Sequence, residues 1–318
     1  MEMSADSTSA PPAARTFRAF AWGVLAYSIL VIVWGAVVRA TGSGAGCGNH
    51  WPLCNGEVVP LAPRTATLIE FAHRASSGIS VLLTIALVVW AWVVFPRRHR
   101  ARAASLAAVV FILVEALFGY LIVEFHLVEQ NASAMRAVVI AVHLVNTMLL
   151  VGAFTLAVSA AVPRRITWPA DERRRWRRRM AIGLAAMMAV AAAGAVVALG
   201  DTLFPHETLA EGIMADFRPA SSFLVRLRIW HPLLAGVTSF YLVGLVAKSD
   251  AFDEPALRVP ARVAMACFAV QLALGIVNVL QMAPLALQLA HLFASNVLWV
   301  SLVWLWRGAE PDVSNTSS

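Results

Sequence analysis

Charge is scarce in this sequence, and lysine is nearly missing from it. Only 14% of its 318 residues are charged, against 60% that are hydrophobic, and the mean hydropathy is +0.73. Soluble domains carry about 25% charged residues, so this balance excludes one and describes an integral membrane protein. Lys248 stands alone among 25 lysines and arginines, a bias of the kind a GC-rich bacterial genome produces. No cleaved signal is expected in its first residues either. Met1–Ala14 contains Glu2 and Asp6 and no apolar core, and reads as a tail. Cysteine is reduced to three positions. Cys267 falls in the middle of an apolar run and reads as a small core residue, whereas Cys47 and Cys54 belong to a loop.

What the sequence has in quantity is apolar runs long enough to cross a bilayer, which takes about 20 helical residues. Eight occur: Phe17–Val38, Thr67–Phe95, Ala103–Glu124, Arg136–Val162, Met180–Gly200, Phe223–Ala247, Ala261–Gln281 and Pro284–Trp306. Arginines sort to one side of them. Arg97, Arg98, Arg100 and Arg102 follow the second run, and eight arginines lie between Arg164 and Arg179 after the fourth. Such a bias places these segments, and both termini, in the cytoplasm. The Arg173–Arg179 stretch abuts a spanning helix, so it is read against anionic lipid headgroups and not against nucleic acid. The expected architecture is all-α and multi-pass, in a bacterial plasma membrane. It comprises a cytoplasmic tail (1–16), an N-terminal four-helix bundle (17–162), an arginine-rich cytoplasmic linker (163–179), a C-terminal four-helix bundle (180–306) and a second cytoplasmic tail (307–318).

The first span runs into Ala40–Gly46, whose glycines follow no strand and lack the spacing of a phosphate-binding loop. They predict an external turn in which backbone comes close to a ligand. Cys47 and Cys54 follow in the same loop, with Gly48 and Pro52 between them. In an oxidising compartment the pair predicts a disulfide, two free thiols being the alternative. His50 is a lone loop histidine, and the later loop holding His206 has no metal-like spacing.

Ionisable residues at membrane depth are expensive and mark function. The second span carries Glu70, His73 and Arg74, the third Glu115, the fourth His143, the sixth Arg228 and His231, and the eighth His291. These features repeat. Gly35-Ala-Val-Val recurs as Gly194-Ala-Val-Val, followed 38 and 37 residues later by a histidine. His73 with Gly78 returns as His231 with Gly236, Glu115 before Gly119 as Gln271 before Gly275, and His143-Leu as His291-Leu. Four matches in one order mark two copies. Each copy holds an even number of spans, so the two share one orientation and are expected to relate by a pseudo-two-fold axis along the membrane normal.

Each of the four histidines lies about six to eight residues into its span from the same face, a depth of roughly 9–12 Å. One such histidine is ordinarily a packed core residue. Four at a common depth, two per copy, can clasp a heme iron from both sides within each bundle. Zinc would want three or four protein ligands, and no others are near. One porphyrin per half is expected, with helix N-termini and Arg74 or Arg228 towards the propionates. The copies differ in one respect: three residues before His73 stands Glu70, and three before His231 stands Arg228. A carboxylate beside a heme edge can act as a base or stabilise developing positive charge, whereas an arginine can only hold an anion. Chemistry is therefore expected in the N-terminal half and a permanent cofactor in the C-terminal half.

With these residues in view, the sequence resembles the heme A synthase family. The resemblance rests on GAVVRATGSGAGCGNHWPLCNG (Gly35–Gly56), E-x-x-H-R at Glu70–Arg74, His143-Leu, His231 and His291-Leu, and extends over all eight spans. It implies oxidation of the methyl group of heme O to the formyl group of heme A, through successive hydroxylations with oxygen from water, in the service of terminal oxidase assembly. By position it implies Glu70, His73 and His143 as the substrate heme site, in which the residues themselves make Glu70 the expected catalytic group and Arg74 a heme contact. His231 and His291 become the iron ligands of a heme b cofactor, and Cys47 and Cys54 the functional external pair; Arg228 at the propionates stays a reading of the residues. Heme O synthase and the oxidase assembly machinery are the implied partners, beside the lipid bilayer and an electron acceptor that the sequence does not reveal. Two other readings stay open on the residues alone. One is a diheme cytochrome that only relays electrons; the other is a repeat-built transporter with Glu70, Glu115 and Arg74 along its pathway.

Overall fold

The computed structural model describes residues 11–162 and 168–310. Residues 1–10 and 311–318 of the two tails, and residues 163–167 of the linker with Arg164 and Arg165, lie outside the described residues. The backbone is helical throughout its long elements. In lipid every backbone N–H and C=O has to be satisfied within the segment, which an apolar helix does alone. The helices are α1 (Pro12–Ala40), α2 (Thr65–Val94), α3 (Arg100–Glu124), α4 (Ala134–Ala160), α5 (Ala170–Leu203), α6 (Leu209–Phe217), α7 (Phe223–Arg226), α8 (Trp230–Ala247), α9 (Pro255–Leu280) and α10 (Leu285–Gly308). Among the described residues there is no strand. Among the described residues eight spans are long and apolar enough to cross a membrane, α7 and α8 together forming the sixth.

Two departures from the expected boundaries have local causes. Helix α5 begins at Ala170, well before Met180, so part of the expected linker is helix. Arginine is a good helix former, and Asp171 and Glu172 occupy the first turn, where the helix dipole favours acids. The sixth span breaks over Leu227–Ile229 because Pro232 has no N–H for the Arg228 carbonyl and its ring would crowd that oxygen. His231 N–H donates there instead, at 3.3 Å, and the helix restarts with Pro232 in its first turn.

The helix neighbours run in parallel in the two halves. In the first, α1 packs on α2 and α4, and α3 on α2 and α4. In the second, α5 packs on α8 and α10, and α9 on α8 and α10. The halves meet where α4 lies against α5 and α10, and α1 against α10. At that seam Trp299 Nε1 donates to the Met148 carbonyl at 2.7 Å. Nearer the cysteine loop, Arg39 reaches from α1 to the Ala198 carbonyl and Thr202 Oγ1 (both 2.6 Å) and to Gln288 Oε1 (2.9 Å). At the arginine-rich face, Arg100, Arg177 and Arg307, from three helices, converge on Glu310.

One contiguous apolar core, with Phe17, Leu25, Leu87, Phe154, Met180 and Leu302 wholly buried, fills the arginine side of the molecule. On α4 it occupies most of Asn146–Ala160, and on α10 much of Asn296–Gly308. His143 and His291 lie just beyond its edge. Towards the cysteine loop there follows a much smaller cluster of Ala137, Leu199 and Leu224. Tight packing therefore anchors each bundle below its histidines.

Candidate functional site

On α2, Glu70, His73 and Arg74 fall within two turns. Arg74 Nε and Nη2 donate to Glu70 Oε1 at 3.0 and 2.6 Å, an i,i+4 pair whose partners are neighbours on the helix surface. Arg74 Nη1 donates to the carbonyls of His50 (2.9 Å) and Leu53 (2.6 Å) in the cysteine loop. The other carboxylate oxygen, Glu70 Oε2, accepts the backbone N–H of Cys47 at 2.8 Å. Glu70 is 4% exposed, and each of its oxygens holds a donor. A buried charge needs such pairing. Arg74 thus commits its donors to Glu70 and the loop.

The loop itself is closed by a Cys47–Cys54 disulfide, as the sequence predicts, and both cysteines are buried. Its glycine stretch was expected to approach a ligand; what it approaches is α2. A Cβ on Gly46 would sit 2.5 Å from the Ala66 carbonyl, and Thr67 Oγ1 donates to the Gly46 carbonyl at 2.8 Å. Only glycine fits between loop and helix here.

His73 lies against α1 at Gly35, where a Cβ would come 3.0 Å from its Cε1. His143 is on α4, which like α2 packs against α1. Behind His143 stands Glu115 of α3, whose Oε2 is 3.1 Å from His143 Nδ1. The contact has hydrogen-bond length but not hydrogen-bond alignment, and Nδ1 has no other partner. Glu115 is itself held by Asn146 Nδ2 at 2.6 Å and Thr147 Oγ1 at 3.1 and 3.2 Å.

The second half repeats the first with different supports. His231 lies against α5 at Gly194, where a Cβ would come 2.9 Å from its Cε1, and its Nδ1 is 3.0 Å from the Val190 carbonyl. The His231 and His291 rings stand 6.4 Å apart between centroids, inclined at 75°. At the position matching Glu115, Gln271 Nε2 donates to the His291 carbonyl at 3.1 Å. Arg228 is engaged by Asp201 and Asp216, each at 2.9 Å. Asp216 comes from α6, a loop helix with no counterpart in the first half. The anions nearest Arg228 are therefore the protein's own.

The sequence-predicted residues thus gather into two groups near the same face: Cys47, Cys54, Glu70, Arg74, His73 and His143 in one, His231, His291 and Arg228 in the other. His50 stays in its own loop beside Gly48, and His206 beside Gly212. Among the described residues, no group of three or more His, Cys, Asp or Glu side chains is arranged to hold a metal ion. Sequence reasoning missed the ion pairs Arg74–Glu70 and Arg228–Asp201/Asp216. The first was readable from the four-residue spacing. The second was not, since its acids lie 12 and 27 residues away.

Fold and site together define a multi-span helical membrane protein with a pair of intramembrane histidines in each half. The chain belongs to the COX15-CtaA family of cytochrome oxidase assembly proteins, whose family model matches residues 18–303. A protein from Thermus thermophilus named protoheme IX farnesyltransferase is 41% identical over 310 residues, covering 94% of this chain and 49% of its own. The chain therefore spans about half the length of that relative. A heme A synthase from Alkalihalophilus pseudofirmus is 45% identical over 91 residues, 29% of this chain and 31% of its own. One from Listeria welshimeri is 43% identical over 101 residues, 31% and 33%.

Proposed function

We propose that this protein is a heme A synthase, oxidising the methyl group of heme O to the formyl group of heme A by successive hydroxylations with oxygen from water. The observation that carries the reading is the inequality of two otherwise matched histidine pairs. Both rest on a glycine of a neighbouring helix, yet only His73 has a carboxylate, Glu70, one turn away on its own helix.

The donor set fits a porphyrin iron. The His231 and His291 rings face each other without a hydrogen bond between them, and Nδ1 of His73 and of His291 are buried and unpartnered. A Cβ on Gly35 would crowd the His73 ring, and one on Gly194 the His231 ring. Axial histidine pairs in bundle cores are an established way to hold heme. His231 and His291 would hold heme b, which when bound supplies a one-electron relay. His73 and His143 would hold heme O as substrate.

The remaining work falls to the chain's own residues. Each hydroxylation takes an oxygen from water and releases two protons and two electrons. Glu70 is the group that accepts a proton from the attacking water, and its charge stabilises positive character at the reacting carbon. Arg74 and the Cys47 N–H hold that carboxylate in one orientation. The electrons have to leave to an acceptor outside the chain, and a heme held by His231 and His291 would be the relay towards it.

The matched helix neighbours of the two halves support a pseudo-two-fold axis along the membrane normal, with an N-terminal substrate bundle (17–162) and a C-terminal heme b bundle (180–306). The arginine bias supports a bacterial plasma-membrane protein with both termini cytoplasmic. The name of the Thermus relative supports work beside an enzyme that farnesylates protoheme IX, that is, a heme O synthase. Extraction of pigment after heme O and a chemical electron acceptor such as ferricyanide are supplied to the purified protein tests the reaction. Heme A, or its hydroxylated precursor, is expected; recovery of heme O alone leaves an electron relay as the function.

A further inference from the structure

The two pairs differ in a second way, behind the rings. In the first half the acid Glu115 faces His143 Nδ1 at 3.1 Å, fixed from the far side by Asn146 and Thr147. In the second half the matching position is Gln271, whose amide nitrogen is taken up by the His291 backbone carbonyl. The histidine with an Nδ1 partner there is the other one, His231, and the partner is a neutral carbonyl. The geometry points to Glu115 as a positioning residue that holds the proton of His143 on Nδ1, leaves Nε2 as the donor to iron, and makes His143 the stronger ligand. This rests on the reading that His143 binds a porphyrin iron.

The chemistry of metal-bound imidazole supports the step. A ligating histidine commonly gives its second N–H to a carboxylate, which fixes the tautomer and raises basicity. Glu115 is poised for this and for little else, since its other contacts are side chains of α4 that hold it in place. The missing alignment is a matter of ring rotation, and the terminal torsion of histidine has a broad, shallow profile. A more basic ligand favours ferric over ferrous iron. The N-terminal site should then have the lower reduction potential of the two, because Gln271 cannot charge-polarise His291 in the same way.

The test is a spectroelectrochemical titration of purified protein loaded with hemin, in the native chain and in Glu115→Gln, Glu115→Asp and His143→Leu. Glu115→Gln is expected to weaken ferric hemin retention at the N-terminal site about 10–100-fold. A tenfold preferential loss of the ferric form raises the midpoint by about 59 mV for a one-electron couple. Glu115→Asp, which keeps the charge, should recover part of the shift, and the signal of the His231/His291 heme should stay in place as the check on folding. If Glu115→Gln gives no folded protein, Glu115→Ala takes its place, and an unmoved midpoint there overturns the proposal. An unmoved midpoint in Glu115→Gln overturns it while leaving the heme reading intact. If His143→Leu binds and titrates hemin like the native chain, the heme reading fails, and this inference with it.

Discussion

The backbone N–H of Cys47 donates to Glu70 Oε2 across 2.8 Å, so the disulfide loop and the buried carboxylate form one unit. Arg74 closes the unit from the other side, through its bonds to Glu70 and to the loop carbonyls of His50 and Leu53. The cysteines touch the proposed chemistry through a backbone bond, with no sulfur chemistry required.

Replacing Cys47 and Cys54 together by serine should therefore lower heme A formation more than it lowers stability. Closing so short a loop is worth about 2–3 kcal/mol, and the helices are held by the core on the opposite side. Activity per folded protein and the thermal midpoint would be compared. A variant of full activity detaches the loop from Glu70; one that fails to accumulate makes the bridge structural.

Gly35→Ala and Gly194→Ala should separate the halves. Alanine improves helix propensity by about 1 kcal/mol, so neither substitution harms its helix. The added methyl instead meets the imidazole at 3.0 Å (His73) or 2.9 Å (His231), an overpacking worth about 1–3 kcal/mol. Heme content is expected to fall in Gly194→Ala, while Gly35→Ala keeps that heme and loses product. Identical behaviour of the two would argue against a division of labour.

His231→Leu and His291→Leu should abolish the stable low-spin heme spectrum, whereas His73→Leu and His143→Leu should retain it and make no heme A. Absorption spectra of the four purified variants decide this. A full bis-histidine spectrum in either of the first two reverses the assignment of halves.

Glu70→Gln is not a silent isostere here. Both carboxylate oxygens accept from donors, so the amide NH2 meets either the Cys47 N–H or the Arg74 guanidinium. Arg74→Gln is the informative companion: it removes the cation and leaves the carboxylate. A proton-handling Glu70 predicts a loss of about 10²–10⁴-fold in Glu70→Gln, with either little product or accumulation of the hydroxylated intermediate, and a smaller loss in Arg74→Gln. Equal losses, with heme retained in both, would assign the pair to structure alone.

The number of spans was legible in the sequence because hydropathy reports the one demand that lipid makes of a helix. Their ends were not, since Arg173–Arg179 is helix without being apolar and Pro232 breaks a run that reads as one span. The histidines could be found because a polar residue at membrane depth stands out against its neighbours. Spacing also paired Gly35 with His73 and Gly194 with His231 before any contact was known. What the sequence could not supply was the company each charge keeps. Glu115 read as a buried acid with no assigned partner, and Arg228 as an anion binder with its charge to spare, because Asn146, Asp201 and Asp216 reach them from other helices.

Arg39 has a consequence for how the chain is made. It belongs to α1, yet its hydrogen-bond acceptors lie 159, 163 and 249 residues later in the sequence. Until those acceptors are made its guanidinium has to remain at the water interface, where a long side chain near a helix end can reach. It can settle only as α5 arrives and is fully bonded only after α10 has emerged. A ribosome that stalls before Gln288 leaves a chain with one incompletely bonded arginine beside the lipid, which distinguishes an unfinished copy from a finished one.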